Sequence, residues 1–187
     1  MSVAQQQKKT NPKIEDIIPT CVAGDKQKAV FDFVAYMRAC KMNSVWSGVF
    51  NTWKFNYKGK AICKMLLPDD ANHVAGRHKD YAWVVTPILD HMSEYEKSII
   101  SEGWQNNFWN NILYCVRSNK SPSNNAMNSC IETTKLCAGG RTMTILGREL
   151  TNICFACPIT EFRGPDETNV GIIKRLLELE KQARENL

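Results

Sequence analysis

The strongest local pattern in this chain is Trp53-Lys54-Phe55-Asn56-Tyr57-Lys58-Gly59-Lys60-Ala61-Ile62-Cys63-Lys64-Met65-Leu66-Leu67. Aromatic and polar residues alternate in its first half, and apolar residues recur at every second position in its second half. Because successive side chains of a strand point to opposite faces, each half is predicted to be a β-strand. Glycine adopts the positive φ of a tight turn, so the strands are expected to form a hairpin that turns at Lys58-Gly59. The aromatic face of the first strand then lies opposite the apolar face of the second.

A helix is predicted before this hairpin. It begins with Asp25 as N-cap and ends near Met42, and its apolar residues recur at spacings of three and four. The stripe consists of Ala29, Val30, Phe33, Val34, Met37 and Cys40. Residues 1–13 are rich in glutamine and lysine and lack the apolar segment of a signal peptide. We therefore expect residues 1–20 to be a flexible N-terminal tail and residues 21–187 to be a single domain.

Further elements are predicted after the hairpin. Tyr81–Leu89 is expected to be a third strand, and Pro87 limits it to a strand end or a sheet edge. Ser93 and Glu96 have the spacing of a capping box, which predicts the start of a helix that stops at Gly103. An aromatic helix follows, and its apolar face comprises Trp104, Phe108, Trp109, Ile112, Leu113 and Val116.

A second hairpin and a last helix complete the predicted fold. Arg141–Leu146 and Glu149–Ile159 are expected to be strands joined by a turn at Gly147-Arg148. The last helix starts at Gly164-Pro165-Asp166-Glu167. The predicted fold class is α+β: an antiparallel sheet of two hairpins plus one strand, packed by N-terminal, middle and C-terminal helices.

Composition narrows the classes of protein to which the chain can belong. Of its 187 residues, 43% are hydrophobic and 23% are charged, values that are typical of a globular domain. No apolar run approaches the roughly 18 residues of a membrane span, so no membrane association is expected. Without an export signal, a cytoplasmic location with reduced thiols is predicted. The net charge is +5, and the basic residues are interspersed with acidic ones. This distribution predicts at most weak binding to nucleic acid.

Cysteines are concentrated between Tyr114 and Pro158. Thiolates are the ligands that structural zinc prefers, so this stretch is a candidate zinc site. Its candidate ligands are Cys115, Cys137, Cys154 and Cys157, with Cys130 as a fifth cysteine in the same stretch. Against this site, side chains three apart on an unbroken strand point to opposite faces, and only Cys154 and Cys157 form a Cys-x-x-Cys pair. Free thiols near an apolar core, a redox-active pair and, in an exported protein, disulfides stay open as alternatives.

A polar loop over Pro68–Lys79 contains further residue types that can bind metals. They are Asp69, Asp70, His73 and His78. Their spacing does not place them on one face of a helix, so we expect an exposed loop rather than a metal site.

Aromatic residues supply the candidate ligand site. If the aromatic helix crosses the sheet edge, five rings line a concave apolar surface: Trp53, Tyr57, Trp83, Trp104 and Phe108. The alternative is that these rings fill the core and leave no cavity. Since the sequence contains no catalytic motif, the predicted function is a non-catalytic module that binds a small hydrophobic or aromatic ligand or a partner. The alternatives are a thiol- or zinc-dependent enzyme, or a zinc-stabilised domain, that uses the Cys115–Cys157 stretch, and a weak nucleic-acid binder.

Two stretches resemble a known group of proteins. Trp53-Lys54-Phe55-Asn56-Tyr57-Lys58-Gly59-Lys60 is similar to the W-x-x-x-Y-K-G-K hairpin of small bacterial proteins of unknown function related to the YdhG-like domain. Cys137 to Cys154 resembles the C-x-P-G-K-x-x-T-x-x-G-K-x-F-x-N-x-C segment of Gram-positive members, which also end with x-P-D and a terminal helix, as at Pro165-Asp166. The resemblance implies a compact α+β domain around an antiparallel sheet that is able to bind a small ligand. It implies no enzyme activity.

Overall fold

The computed structural model describes residues 3–49, 51–68, 78, 80–113, 140–154 and 158–186. Within these ranges, helices and antiparallel strands form an α+β fold, which confirms the predicted class. The helices are α1 Val3–Thr10, α2 Ile14–Cys21, α3 Gly24–Ala39, α4 Met92–Ser101, α5 Gln105–Asn110 and α6 Glu167–Glu185. The strands are β1 Asn43–Trp46, β2 Thr52–Tyr57, β3 Lys60–Leu66, β4 Val84–Pro87, β5 Gly140–Ile145, β6 Arg148–Cys154 and β7 Phe162–Arg163.

The larger sheet is built around the predicted hairpin. Its strand order is β1-β2-β3-β4-β7, and every neighbouring pair is antiparallel. Phe55 lies opposite Cys63, so the aromatic face of β2 opposes the apolar face of β3 as the alternation predicts. Lys58 and Gly59 form the turn with φ of 46° and 80°. Two successive positive φ values are typical of a type I′ turn, one of the two common two-residue hairpin turns, which confirms this part of the prediction.

The second hairpin forms a sheet of its own. Strands β5 and β6 pair only with each other among the described residues and form a two-stranded sheet. The turn between them is at Leu146-Gly147, one residue earlier than predicted. The prediction of one sheet that contains both hairpins therefore becomes two sheets within the same fold class.

Helices α3 and α6 contribute much of the core. The ring of Phe33 on α3 makes edge contacts with Phe55 and Trp83, at centroid distances of 6.4 Å and 5.5 Å. Ile173 and Leu177 on α6 are fully buried in the same cluster. Helix α6 begins at Glu167, within the predicted start, and the carboxylate of Asp166 caps it by accepting a hydrogen bond from the backbone amide of Asn169 at 2.8 Å.

The prediction that residues 1–20 form a flexible tail needs correction. Most of this segment is helical in α1 and α2, and Ile14 and Ile18 are fully buried. The two isoleucines are four residues apart, which places them on one face of α2 and against the core. The indole of Trp53 also donates a hydrogen bond to the carbonyl of Pro12 at 3.2 Å. The packed region therefore begins well before residue 21.

The starts of two helices differ from the predicted caps. Helix α3 begins at Gly24 rather than after Asp25. Helix α4 follows His91 as N-cap, and Ser93 lies inside the helix without forming the predicted capping box. This start places His91 at the junction between the sheet and α4.

No helix in the described ranges has the length and apolar character that crossing a bilayer demands.

Candidate functional site

A carboxylate on the buried face of α6 is the centre of the candidate site. Glu180 is fully buried and accepts a hydrogen bond from the hydroxyl of Tyr95 at 2.8 Å. Nε of Arg184 donates to it at 2.8 Å. His91 contributes both Nδ1, at 2.8 Å, and its backbone amide, at 3.1 Å. A buried carboxylate is tolerated only when it is paired and hydrogen-bonded in this way.

These hydrogen bonds fix the charge of Glu180. Burial alone would raise its pKa, but hydrogen bonds from Arg184, His91 and Tyr95 outweigh burial and hold the pKa below its ordinary value. Burial and the neighbouring Glu180 charge raise the pKa of Tyr95, so its hydroxyl stays protonated as a donor. Because an ionised carboxylate can only accept, Nδ1 of His91 carries a proton and donates it towards Glu180. The other ring nitrogen, Nε2, is then the atom with which His91 can meet a ligand.

Arg184 joins this network to the sheet. Its Nη1 donates to the carbonyl of Ala61 at 3.1 Å. Its Nη2 lies 3.4 Å from the carbonyl of Ile88 and 3.2 Å from a carboxylate oxygen of Asp90. The guanidinium is nearly buried, so the end of α6, the start of β3 and the segment after β4 are held together by one planar group.

A cavity of about 460 Å³ opens beside the network. Its lining residues are Tyr57, Lys58, Lys60, Asp90, His91 and Arg184, and we call it the hairpin cavity. The volume lies within the usual range of small-molecule sites, roughly 300–1,000 Å³. Four of the lining residues are basic types and Asp90 is acidic. The hairpin cavity is therefore suited to a ligand that carries negative charge.

Tyr57 forms the flat wall of the hairpin cavity. The amine of Lys58 lies 5.6 Å from its ring centroid, and that of Lys181 lies 5.2 Å from the same centroid. The Tyr57 hydroxyl donates a short hydrogen bond to Glu185. That hydrogen bond, followed by burial, raises the pKa of Tyr57. The ring of Tyr57 is thus held in place by α6, the helix that also carries Glu180.

The five predicted ligand-binding aromatics do not meet at one surface. Trp53, Trp83 and Phe108 have 1%, 1% and 0% of their surface exposed and lie within the core. Tyr57 lines the hairpin cavity, and Trp104 is half-buried immediately before α5. The alternative in which aromatic rings fill the core therefore describes three of the five. Tyr57 is the member that the structure places at a cavity.

The predicted zinc ligands fall mostly beyond the described part of the chain. Cys115, Cys130, Cys137 and Cys157 lie outside the described residues, and Cys154 is described only as a backbone position at the end of β6. Among the residues that are described, no three histidine, cysteine or acidic side chains cluster as a metal site. Cys63 is fully buried on β3, and burial raises the pKa of its thiol.

His78 departs from the predicted exposed loop. Its ring is buried, and Nε2 lies 3.0 Å from Oε1 of Glu161. Nε of Arg163 donates to the same oxygen at 2.9 Å. The prediction of exposure is wrong for His78 because this pairing compensates the ring for lost hydration. The other three candidate ligands of that loop, Asp69, Asp70 and His73, lie outside the described residues.

Sequence reasoning missed His91, Glu180 and Arg184. The available signal was Glu180 itself, because it is a charged residue at a position of the otherwise apolar stripe of α6. That stripe includes Ile173, Leu176 and Leu177. Its partners His91 and Tyr95 are 89 and 85 positions away, so no local pattern connects them. No protein-family model, curated protein or solved structure matches the chain.

Proposed function

We propose that this protein is a non-catalytic module that binds a small anionic ligand in the hairpin cavity. The observation that supports this most is the lining of the cavity, in which Lys58, Lys60, His91 and Arg184 face one acidic residue, Asp90, among the described residues. A cleft lined mainly by one sign of charge raises the local concentration of oppositely charged ligands.

The chemistry of the lining favours a carboxylate or a phosphate group. Lys58 and Lys60 are exposed at the hairpin turn and offer ammonium donors that reorient around an anion. Nε2 of His91 adds a donor when the ring is protonated, and the Tyr57 ring offers a flat apolar wall. We therefore expect a ligand with one anionic group and a small planar body.

Isothermal titration calorimetry with phenyl phosphate and with inorganic phosphate tests this proposal. The double variant Lys58→Gln, Lys60→Gln should weaken binding of phenyl phosphate by about tenfold or more, because charge-assisted hydrogen bonds are lost. The double variant Lys26→Gln, Lys28→Gln makes the same two-charge change at exposed positions of α3, away from the cavity lining, and serves as the control. Equal losses in the two double variants would mean that the net charge, rather than the cavity, attracts the anion.

The hydrogen bond between His91 and Glu180 favours a second candidate, an acid–base enzyme. A carboxylate that accepts from Nδ1–H of a histidine leaves Nε2 as the nitrogen that can accept a proton, as a general base requires. Proton NMR of a ligand in D2O distinguishes the two functions. Exchange or cleavage that depends on His91 and is lost in His91→Gln would establish the enzyme, whereas a ligand recovered unchanged supports the binding module.

The remaining interpretations rest on the sequence alone. A cytoplasmic location, weak affinity for nucleic acid, and membership in the group related to the YdhG-like domain stay predictions. A thiol- or zinc-dependent site in the Cys115–Cys157 stretch stays a prediction as well.

A further inference from the structure

We propose that a second cavity, lined in part by Pro87–Asp90, binds a small carboxylate with an apolar body. This cavity has a volume of about 320 Å³ and shares only Asp90 with the described lining of the hairpin cavity. Its lining residues are Lys64, Pro87, Ile88, Leu89, Asp90, Arg141, Pro158, Ile159 and Thr160. It is independent of the proposed function, because none of its basic residues belongs to the hairpin cavity.

The walls of the second cavity are largely apolar. Proline and aliphatic side chains come from two separate segments, the end of β4 with the residues after it and the segment that leads to β7. Two basic side chains complete the lining, Lys64 from β3 and Arg141 from β5. An apolar cleft with a small number of polar groups is the usual form of a small-molecule site. Its composition suits a molecule with an apolar body and a single negative charge.

Thr160 provides an independent indication of a ligand. The residue is fully buried, and its hydroxyl has no hydrogen-bond partner among the described residues. Buried hydroxyl groups are nearly always hydrogen-bonded, because burial without a partner is unfavourable. Because the hydroxyl oxygen is itself buried in the unliganded protein, a ligand carboxylate in the second cavity accepts its hydrogen bond only after the lining side chains shift.

The backbone around Thr160 is already fixed. Thr160 pairs with Ile112 in an isolated β-bridge. On one side the amide of Leu113 donates to the carbonyl of Ile159 at 2.9 Å, and on the other the amide of Glu161 donates to the carbonyl of Asn111 at 2.9 Å. A side chain on a fixed backbone loses little entropy when it binds a ligand, which favours recognition at this position.

Charge and volume together select the ligand class. Asp90 opposes a doubly charged anion such as phosphate, while Lys64 and Arg141 favour a single carboxylate. Arginine matches the planar, two-oxygen geometry of a carboxylate. Benzoate, which joins one carboxylate to a flat apolar ring, is therefore the probe. Benzyl alcohol has a similar ring without the charge, and acetate has the charge without the ring.

The test is a calorimetric and NMR titration with these three probes. We expect benzoate to bind in the millimolar range or tighter, and the affinities for benzyl alcohol and acetate to be lower by about tenfold or more. Thr160→Val retains the shape of the side chain and removes only the hydroxyl. It should leave the melting temperature of the unliganded protein unchanged or raised, and it should weaken benzoate binding. Arg141→Gln should weaken binding of benzoate more than that of benzyl alcohol, and Lys54→Gln should change neither.

Three outcomes would overturn the proposal. One is the absence of benzoate binding at millimolar concentration. Another is a Thr160→Val variant that binds benzoate as tightly as the wild type, whatever its melting temperature, which would mean that the hydroxyl does not contact the ligand. The third is loss of benzoate binding in the Lys58→Gln, Lys60→Gln variant alone. That result would place benzoate in the hairpin cavity and support the proposed function instead.

Discussion

Nδ1 of His91 lies 2.8 Å from Oε1 of Glu180, although the two residues are 89 positions apart in the sequence. The carboxylate is fully buried, so the hydrogen bond connects the start of α4 to the interior face of α6. Tyr95 and Arg184 donate to the same carboxylate. Glu180 is thus a structural centre as well as the residue that orients His91 at the hairpin cavity.

Replacement of this carboxylate should destabilise the protein. In Glu180→Gln the nearly buried guanidinium of Arg184 loses its closest counter-charge, and one amide cannot accept all the hydrogen bonds that the carboxylate accepts. We expect the free energy of unfolding in urea to fall by about 3 kcal/mol. Glu94→Gln on the exposed face of α4 is the control and should change stability by less than about 0.5 kcal/mol. Similar small effects in both variants would contradict the buried network.

The lowered pKa of Glu180 predicts how stability depends on pH. The unfolded chain binds a proton at the ordinary value of 4.5, whereas the folded chain binds it only at lower pH. The stabilisation is therefore fully present above about pH 4.5 and is lost as the pH falls through the folded-state pKa. The difference in unfolding free energy between wild type and Glu180→Gln should shrink as the pH falls from 6 to about 3. A constant difference over that range would show that ionisation of Glu180 does not contribute.

The packing of α2 gives a prediction about the N-terminal segment. Ile18→Ala should lower the free energy of unfolding by about 2–5 kcal/mol, because it leaves a cavity in the core. Ile17, its neighbour on the same helix, is only partly buried, so Ile17→Ala should cost clearly less. Chemical denaturation of the two variants measures this difference. Equal and small losses would restore the interpretation of residues 1–20 as a flexible tail.

Replacement by alanine should change stability in opposite directions at two glycines, one in the hairpin turn and one in α6. Gly59 has a φ of +80°, which an L-residue adopts only with strain, so Gly59→Ala should destabilise by about 1 kcal/mol. Gly171 is exposed within α6, and an added Cβ meets nothing within 4 Å. Gly171→Ala should therefore stabilise by up to about 1 kcal/mol. Thermal unfolding of both variants is the measurement. Stabilisation by Gly59→Ala would contradict the turn geometry.

Local patterns in the sequence were sufficient for much of the fold. Alternation from Trp53 to Tyr57 and the Lys58-Gly59 turn predicted the hairpin, and burial alternates along β2 as expected. Burial does not alternate along β3, where Ile62 and Leu66 are buried as well as Cys63 and Met65. Helix α1 was missed since its sequence is glutamine- and lysine-rich, and α2 was missed since it contains Pro19 and spans only 8 residues. Short helices gain their stability from packing, which no local propensity reveals.

The candidate site was less accessible to sequence reasoning. Tyr57 was identified because the hairpin was, whereas His91 and Arg184 have no motif around them. Their roles arise from hydrogen bonds to Glu180 and to backbone carbonyls of the sheet. Such partners come from separate parts of the chain, so composition and periodicity carry no record of them.

The arrangement of the hairpin cavity also has a kinetic consequence. Tyr57 meets Glu185 across 128 positions, and Arg184 reaches the carbonyl of Ala61 across 123. Contacts between residues so far apart form only when long loops close. Loop closure costs conformational entropy, so such contacts slow folding. A partly folded chain that has formed only the β2–β3 hairpin presents Lys58 and Lys60 without the opposite wall. Detachment of the last turns of α6 would likewise remove Arg184 from the cavity lining while the sheet stays intact. Under the proposed function, binding of an anion in the cavity would therefore report on the completeness of folding.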